Sequence, residues 1–161
     1  MFWLRHGLLS LMLLGIFTPA ALASPAFQPP PRLGWTAEYF NNITLTGSPS
    51  FNREDRNLDF FWREWTSPAP GYVNVNNYSV RWTRTINFTK TDNWTFHFVA
   101  DDGVRVWVDN NIVIDAWYDQ APTPHIGTTF LNSGLHTVRI EYYNRTLGGT
   151  AKLGFWGETF Y

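Results

Sequence analysis

The sequence predicts an all-β protein, a two-sheet antiparallel β-sandwich or barrel with long loops. Short runs that alternate apolar and polar residues recur from Trp35 to Phe155, the period-two signature of half-buried strands. After the N-terminal leader, no stretch of about ten residues repeats its apolar positions at helical spacing. Turn chemistry separates the runs, as at Gly47-Ser48-Pro49, Pro70-Gly71, Asn110-Asn111 and Ser133-Gly134.

Taken in order, residues 1–23 read as a secretory signal peptide. Arg5 and His6 precede a mainly apolar run from Leu8 to Phe17, and Ala21-Leu22-Ala23 supplies the small-residue cleavage pattern. The run is shorter than the roughly 20 residues a spanning helix needs. Residues 24–33, with Pro25 and Pro29-Pro30-Pro31, form a Pro-rich linker. The domain occupies 34–161 and starts with a strand in which Trp35, Ala37 and Tyr39 share a face. From Asn41 to Tyr78 the text is irregular and predicts long loops with one or two short strands. Val80, Trp82, Ile86 and Phe88 then alternate with polar residues, Arg84 standing on their side. Trp94, Phe96 and Phe98 alternate in the next run, and the two runs predict a hairpin through Thr91-Asp92-Asn93. Val104 to Val108 and Ile112 to Asp115 predict a second hairpin. A loop containing Pro122, Pro124 and His125 leads to Phe130-Leu131. Strands at His136–Tyr143 and Ala151–Phe155 complete the pattern.

Composition narrows the function. There is no cysteine, which excludes disulfides and thiolate chemistry. Nine Trp, seven Tyr and thirteen Phe supply the core. Formal charge is −1, or −2 once Arg5 leaves with the leader, and neither value steers the protein to nucleic acid or an anionic membrane. After signal cleavage no membrane span remains, and the expected localisation is secreted, extracellular.

The stretch with chemistry in it is Asp101-Asp102-Gly103, set between Val99-Ala100 and Val104-Arg105-Val106. Asp-Gly is a favoured turn pair, so a simple hairpin turn is one reading. The other is a Ca²⁺ site, because that ion takes six to eight oxygens and often several carboxylates. Adjacent side chains on a strand point to opposite faces, so the pair converges only if the backbone turns or the intervening peptide is unusual. A second loop, Tyr143 to Thr150, offers the Asn144 side-chain oxygen and backbone carbonyls.

The succession Tyr39-Phe40-Asn41, Leu45-Thr46-Gly47, Arg53-Glu54-Asp55, Val80-Arg81-Trp82, Trp94-Thr95-Phe96, Ala100 to Asp109, Ile114-Asp115-Ala116-Trp117, Gly134-Leu135-His136 and Arg139-Ile140-Glu141-Tyr142 resembles the PA14 domain, named after anthrax protective antigen. The resemblance runs from Gly34 to Trp156. It implies a β-sandwich or barrel of a kind found in glycosidases, toxins and yeast flocculins and adhesins. In the lectin branch, adjacent aspartates joined by a cis peptide bind Ca²⁺, which binds sugar hydroxyls. The resemblance places these at Asp101 and Asp102, with Asn144 and the backbone carbonyls of Thr146 and Gly148 from the later loop. Two departures are Gly103 after the pair and Arg84 where the family often has glycine.

The function this implies is a secreted, calcium-dependent carbohydrate-binding module, not an enzyme, whose partner is a glycan or cell-surface polysaccharide. The alternative is a structural or protein-interaction module of the cell exterior, meeting another extracellular protein. Trp65, Trp117, Tyr118 and Tyr143 are candidates to stack on a sugar, Trp117 and Tyr118 foremost, and Arg145 is a further ligand contact. His97, His125 and His136 lack metal spacing and read as surface or packed residues. Asn42, Asn77, Asn87, Asn93 and Asn144 lie in sequons for N-linked glycan.

Overall fold

The computed structural model describes residues 33–156. The leader at 1–23 and the linker at 24–33, except Leu33, lie outside the described residues. The described chain folds into β1 (Trp35–Phe40), β2 (Phe51–Asp55), β3 (Asp59–Trp62), β4 (Tyr78–Phe88), β5 (Asp92–Asp101), β6 (Val104–Val108), β7 (Asn111–Ala116), β8 (Thr123–Leu131), β9 (Gly134–Asn144) and β10 (Gly149–Trp156). The pairings are antiparallel and build a six-stranded sheet in the order β2-β1-β4-β9-β6-β7 and a four-stranded sheet in the order β3-β10-β5-β8. The all-β sandwich expected from the alternating runs is the fold observed.

One expectation fails. The runs on either side of Thr91-Asp92-Asn93 do not pair as a hairpin. β4 ends opposite β9, with Phe88 facing Gly134, while β5 starts opposite β8, with Asp92 facing Leu131. The chain steps from one sheet to the other at 88–92, and it steps back at 131–134. Alternation is equally compatible with a hairpin and with a step between sheets, and apolar contact decides in favour of the step. Phe88 and Trp94 meet edge to face at 4.8 Å. The hairpin β6–β7 forms as expected, with Asp109 and Asn110 both at positive φ, as a type I′ turn requires. The loop expected around Pro122, Pro124 and His125 is mostly strand, since β8 already begins at Thr123. β8 is an edge strand, where a proline is tolerated.

Between the sheets the aromatic residues interlock. Trp82 stacks on Phe60 at 5.8 Å, and Phe60 on Trp62 at 4.8 Å. One polar knot is set into this core. Asp55, 6% exposed, accepts hydrogen bonds from the Tyr39 hydroxyl (2.7 Å), Trp82 Nε1 (2.8 Å) and Arg53 Nε (2.5 Å). Arg53 also donates to the Pro68 carbonyl at 3.0 Å, which ties the long loop after β3 to the knot. Arg84 lies on the same side of β4 as Trp82 and Ile86, opposite Val138, and its buried Nε has no hydrogen-bond partner among the described residues.

On the outer face of the larger sheet the registers bring Glu38, Arg81, Glu141, Arg105 and Asp115 into one row across β1, β4, β9, β6 and β7. Their charges alternate in sign, and buried Glu141 joins Arg81 (3.1 Å) and Arg105 (2.9 Å).

Two predictions come from these contacts. Asp55→Ala strands the Trp82 N–H and the Tyr39 O–H in the core, and it should lower stability by about 3 kcal/mol in urea unfolding. The second concerns His136, whose Nδ1 meets Asp109 Oδ2 at 2.5 Å and whose Nε2 meets the Asn132 carbonyl at 2.8 Å. Both partners are acceptors, so both ring nitrogens must carry protons. The bond to Asp109 raises the His136 pKa above its usual value. At Asp109 burial works upward, but the bonds from His136 and the Thr137 amide outweigh it and hold the carboxyl low. A raised His contributes stability fully below about pH 6.5, and that contribution fades as pH climbs through the raised value; the depressed Asp contributes above about pH 4 and fades as pH falls through its own lowered value. An NMR titration should place His136 above pH 6.5 in the parent and return it to the ordinary range in Asp109→Asn.

Candidate functional site

The acid pair sits where the chain crosses between sheets. Asp101 ends β5 opposite Thr150 of β10, while Val104 starts β6 opposite Tyr142 of β9. Residues 101–103 are therefore not a hairpin turn, because the strands on either side belong to different sheets. The β9–β10 connection makes the matching crossing from 144 to 149. The two crossings lie side by side and are laced together. The Asp102 amide donates to the Tyr143 carbonyl (3.1 Å), the Tyr143 amide donates to the Gly103 carbonyl (3.0 Å), and the Tyr142 hydroxyl donates to the Asp101 carbonyl. Only glycine fits at 103, since a Cβ there would stand 2.2 Å from Tyr143 Cε1. The peptide bond between Asp101 and Asp102 is cis.

Both aspartates line one cleft of about 450 Å³, together with Phe61 to Glu64, Gln120 and Ala121, and Thr146 to Gly149. Their surroundings differ. Asp102 is fixed by backbone, its Oδ1 accepting from the Gln120 amide (3.2 Å) and its Oδ2 from the Arg145 amide (2.8 Å). Burial raises its pKa and these two bonds pull it back. The carboxylate of Asp101 receives no hydrogen bond from any described residue, and burial, with the charge of Asp102 behind it, pushes its pKa up to about 6. An ionised Asp101 thus lacks a counter-charge.

Buried Asn144 adjoins the pair at the end of β9. One end of its side-chain amide lies 3.2 and 3.3 Å from the carbonyl oxygens of Gly148 and Thr146, and with Oδ1 at that end three oxygens converge. Three oxygens so arranged repel one another unless a cation lies among them. Turning the amide by half a rotation would instead let Nδ2 donate to both carbonyls, so the two orientations suit the ion-bound and the ion-free site respectively. Gly148 lets this loop press against β3, since a Cβ there would meet the Trp62 carbonyl at 2.6 Å. Among the described residues no three His, Cys, Asp or Glu side chains gather as metal ligands. A cation here would depend on neutral oxygens beside two carboxylates, a donor set that fits Ca²⁺ and excludes a soft metal.

The other expected ligand contacts lie elsewhere. Trp117 does not line the cleft; it packs edge-on against Tyr143 at 4.8 Å, with the Arg105 guanidinium 4.1 Å above its ring. Tyr118 is exposed and touches His125 edge-on at 6.4 Å. The Arg145 side chain pairs with Asp119, whose carboxylate also accepts from the Tyr143 hydroxyl at 2.6 Å; these two bonds hold Asp119 below the usual carboxylate range. Arg145 serves the cleft through its backbone amide alone. The cleft walls that sequence reasoning missed are Phe61, 66% exposed, and Leu147, 58% exposed. The signal for Phe61 was present in the cluster Phe60-Phe61-Trp62. Nothing local says that Trp62 faces Gly149 and Thr150 faces Asp101, which is how β10 carries β3 to the acid pair.

Comparison with known proteins agrees with this architecture. The chain is 36% identical over 121 residues to the anti-sigma-I factor RsgI3 of Acetivibrio thermocellus, a match covering 74% of this chain and 18% of that protein. The solved anti-sigma factor domain-containing protein from Clostridium clariflavum is 35% identical, with a TM-score of 0.71, over 81% of this chain and 44% of that one. The chain therefore spans less than half the length of either relative. A PA14 sugar-binding domain from RTX adhesin shares the fold at a TM-score of 0.63 and 16% identity, over 80% of this chain and 93% of that one. The expectation of a free, secreted, extracellular protein is overturned by the two nearer likenesses, since both relatives are named for an anti-sigma factor, a regulator rather than a released protein. An apolar leader-like run encodes export competence, not the final location of the protein that carries it. The PA14 domain model matches residues 31–157, and the chain belongs to the PA14 domain family.

Proposed function

We propose that this chain is a calcium-dependent carbohydrate-binding module, a binding rather than a catalytic domain. Asp101, Asp102, Asn144 and the carbonyls of Thr146 and Gly148 hold the ion, and the ion presents its remaining positions to vicinal sugar hydroxyls. What supports this most is the convergence of the Asn144 side-chain amide with the carbonyl oxygens of Gly148 and Thr146, beside an Asp101 carboxylate that receives no hydrogen bond from any described residue. These groups offer at least five oxygens, and Ca²⁺ takes six to eight, so one or more positions stay open for a ligand or water. Phe61 and Leu147 give the cleft exposed apolar surface on which the C–H face of a pyranose can rest. The RTX adhesin relative is named as sugar-binding. The likeness to anti-sigma factor proteins suggests that sugar capture here would serve as the input to a regulator.

A structural module is the competing reading, and Asp102 is its best support, since backbone amides already occupy both its oxygens. Asp101 separates the two. If the pair only shapes the crossing, Asp101→Asn leaves every property intact. In the calcium reading Asp101→Asn weakens Ca²⁺ binding by about a hundredfold in calorimetry and leaves the thermal midpoint measured in chelator unchanged or higher. A glycan array run with and without chelator checks the sugar. Loss of signal in chelator is expected, and chelator-insensitive binding together with an absent ion heat would sink the proposal.

The sign of the pH dependence follows from Asp101. A raised carboxyl binds its proton more tightly in the folded state, so without ion this group favours folding increasingly as pH falls from about 6 toward 4. The ion requires the deprotonated form. Ca²⁺ affinity should therefore be level above pH 7 and fall about tenfold per unit below pH 6. Calorimetric titrations at pH 5 and 7.5 measure the difference.

A further inference from the structure

Beneath the cleft lies a buried hydroxyl with no well-aligned hydrogen bond among the described residues. Tyr78 and Asn144 face each other directly across β4 and β9, and their exposures are 0% and 1%. Tyr78 Oη has no well-aligned hydrogen bond among the described residues, but it lies close to the Tyr142 hydroxyl and the Asn144 side chain. A Cβ on Gly149 would stand 3.3 Å from that hydroxyl and 3.4 Å from Asn144 Cγ, so the phenol and the amide flank the same glycine. Burial raises the Tyr78 pKa, and its oxygen remains a neutral hydroxyl able both to donate and to accept.

An Asn side chain carries an acceptor at one end and two donors at the other. When Asn144 turns its oxygen toward the carbonyls of Thr146 and Gly148, as an ion would require, its NH₂ points away from that loop into a region walled by Tyr78, Tyr142 and Gly149. The neighbouring Tyr142 hydroxyl already donates to the Asp101 carbonyl. Tyr142 Oη can still accept, and the Tyr78 hydroxyl beside it can place its own proton there, which leaves the Tyr78 oxygen to accept from Nδ2.

We propose that Tyr78 is a positioning residue of the ion site. Its hydroxyl accepts from Asn144 Nδ2 and so holds the amide oxygen toward the cleft. The inference rests on the calcium reading above. With phenylalanine at 78, the inward-facing NH₂ would be an orphan donor in the core. Turning the amide repairs this by donating Nδ2 to the two carbonyls, and it leaves an unpartnered amide oxygen inside. A buried acceptor without a partner is tolerated more readily than a buried donor. The orientation therefore shifts toward the one that puts NH₂ where the ion needs oxygen. An aspartate at 144 has oxygen at both ends and no orientation to be held.

Calcium calorimetry on the parent, Tyr78→Phe, Asn144→Asp and the double variant tests this. Tyr78→Phe should bind roughly three- to tenfold more weakly than the parent, whereas adding it to Asn144→Asp should change affinity by less than about twofold. Parent-like binding by Tyr78→Phe, or the same loss in both backgrounds, overturns the role. A second readout requires no variant: in the calcium-loaded parent the Asn144 NH₂ protons should show nuclear Overhauser contacts to the Tyr78 ring, and their absence also overturns it. No ion heat from the parent removes the calcium reading and this role with it. Ion binding by the parent that is indifferent to Tyr78→Phe removes this role alone.

Discussion

Two neighbouring crossings between the sheets are the constraint on which the site depends. A sandwich whose strands change sheet leaves polar backbone at each change, and buried backbone groups need partners. Here the segment 101–103 and the segment 143–145 satisfy each other: Asp102 N to Tyr143 O, Tyr143 N to Gly103 O, Arg145 N to Asp102 Oδ2. Each crossing is the other's partner, so neither can move alone. The acids that line the cleft and the buried Asn144 amide beside them are attached to this laced backbone rather than to free loops, and the rigidity of their placement follows from it.

The sequence made the strands legible because alternation reports which face is buried, and Trp82, Phe96 and Val106 lie inward as their spacing implies. It also made Asp101, Asp102 and Asn144 legible, through unusual residue types and the resemblance to PA14. It did not reveal which strands pair. Val104 could follow Ala100 in a hairpin or in the opposite sheet with the same alternation, and the choice depends on contacts nearly forty residues away, such as Val104 with Tyr142. The same blindness hid Phe61. Trp117 packs under an arginine and Tyr118 stays exposed, a difference that sequence does not show, because an aromatic residue beside a loop looks the same in either setting.

The core shows how a site of this kind is tolerated at one end of a small domain without disulfides. Asp55 gathers three donors from β1, β2 and β4, and Arg53 carries the connection on to the loop after β3. That loop follows Phe61 and Trp62, which form one side of the cleft. A buried carboxylate on its own is weak support for stability, but one whose hydrogen bonds are all made to fixed partners specifies where its neighbours sit. The wall of the cleft is thus tied, through the loop after β3, to a knot built on β1, β2 and β4.

In the calcium reading, charge also bears on what the cleft can take. Two carboxylates and one divalent ion sum to zero, and the Asn144 oxygen and the backbone carbonyls add none. Arg63 and Glu64, both at the cleft, cancel each other, and the whole chain carries a formal charge of only −1. A neutral centre with an unfilled coordination sphere favours ligands that bring oxygen without charge, and hydroxyl groups meet that requirement. An anionic ligand would gain little from long-range attraction here, since no field of either sign draws it in. Selectivity among neutral ligands then falls to shape: how far apart two hydroxyls lie at the ion, and whether the ring that carries them can rest against Phe61 and Leu147.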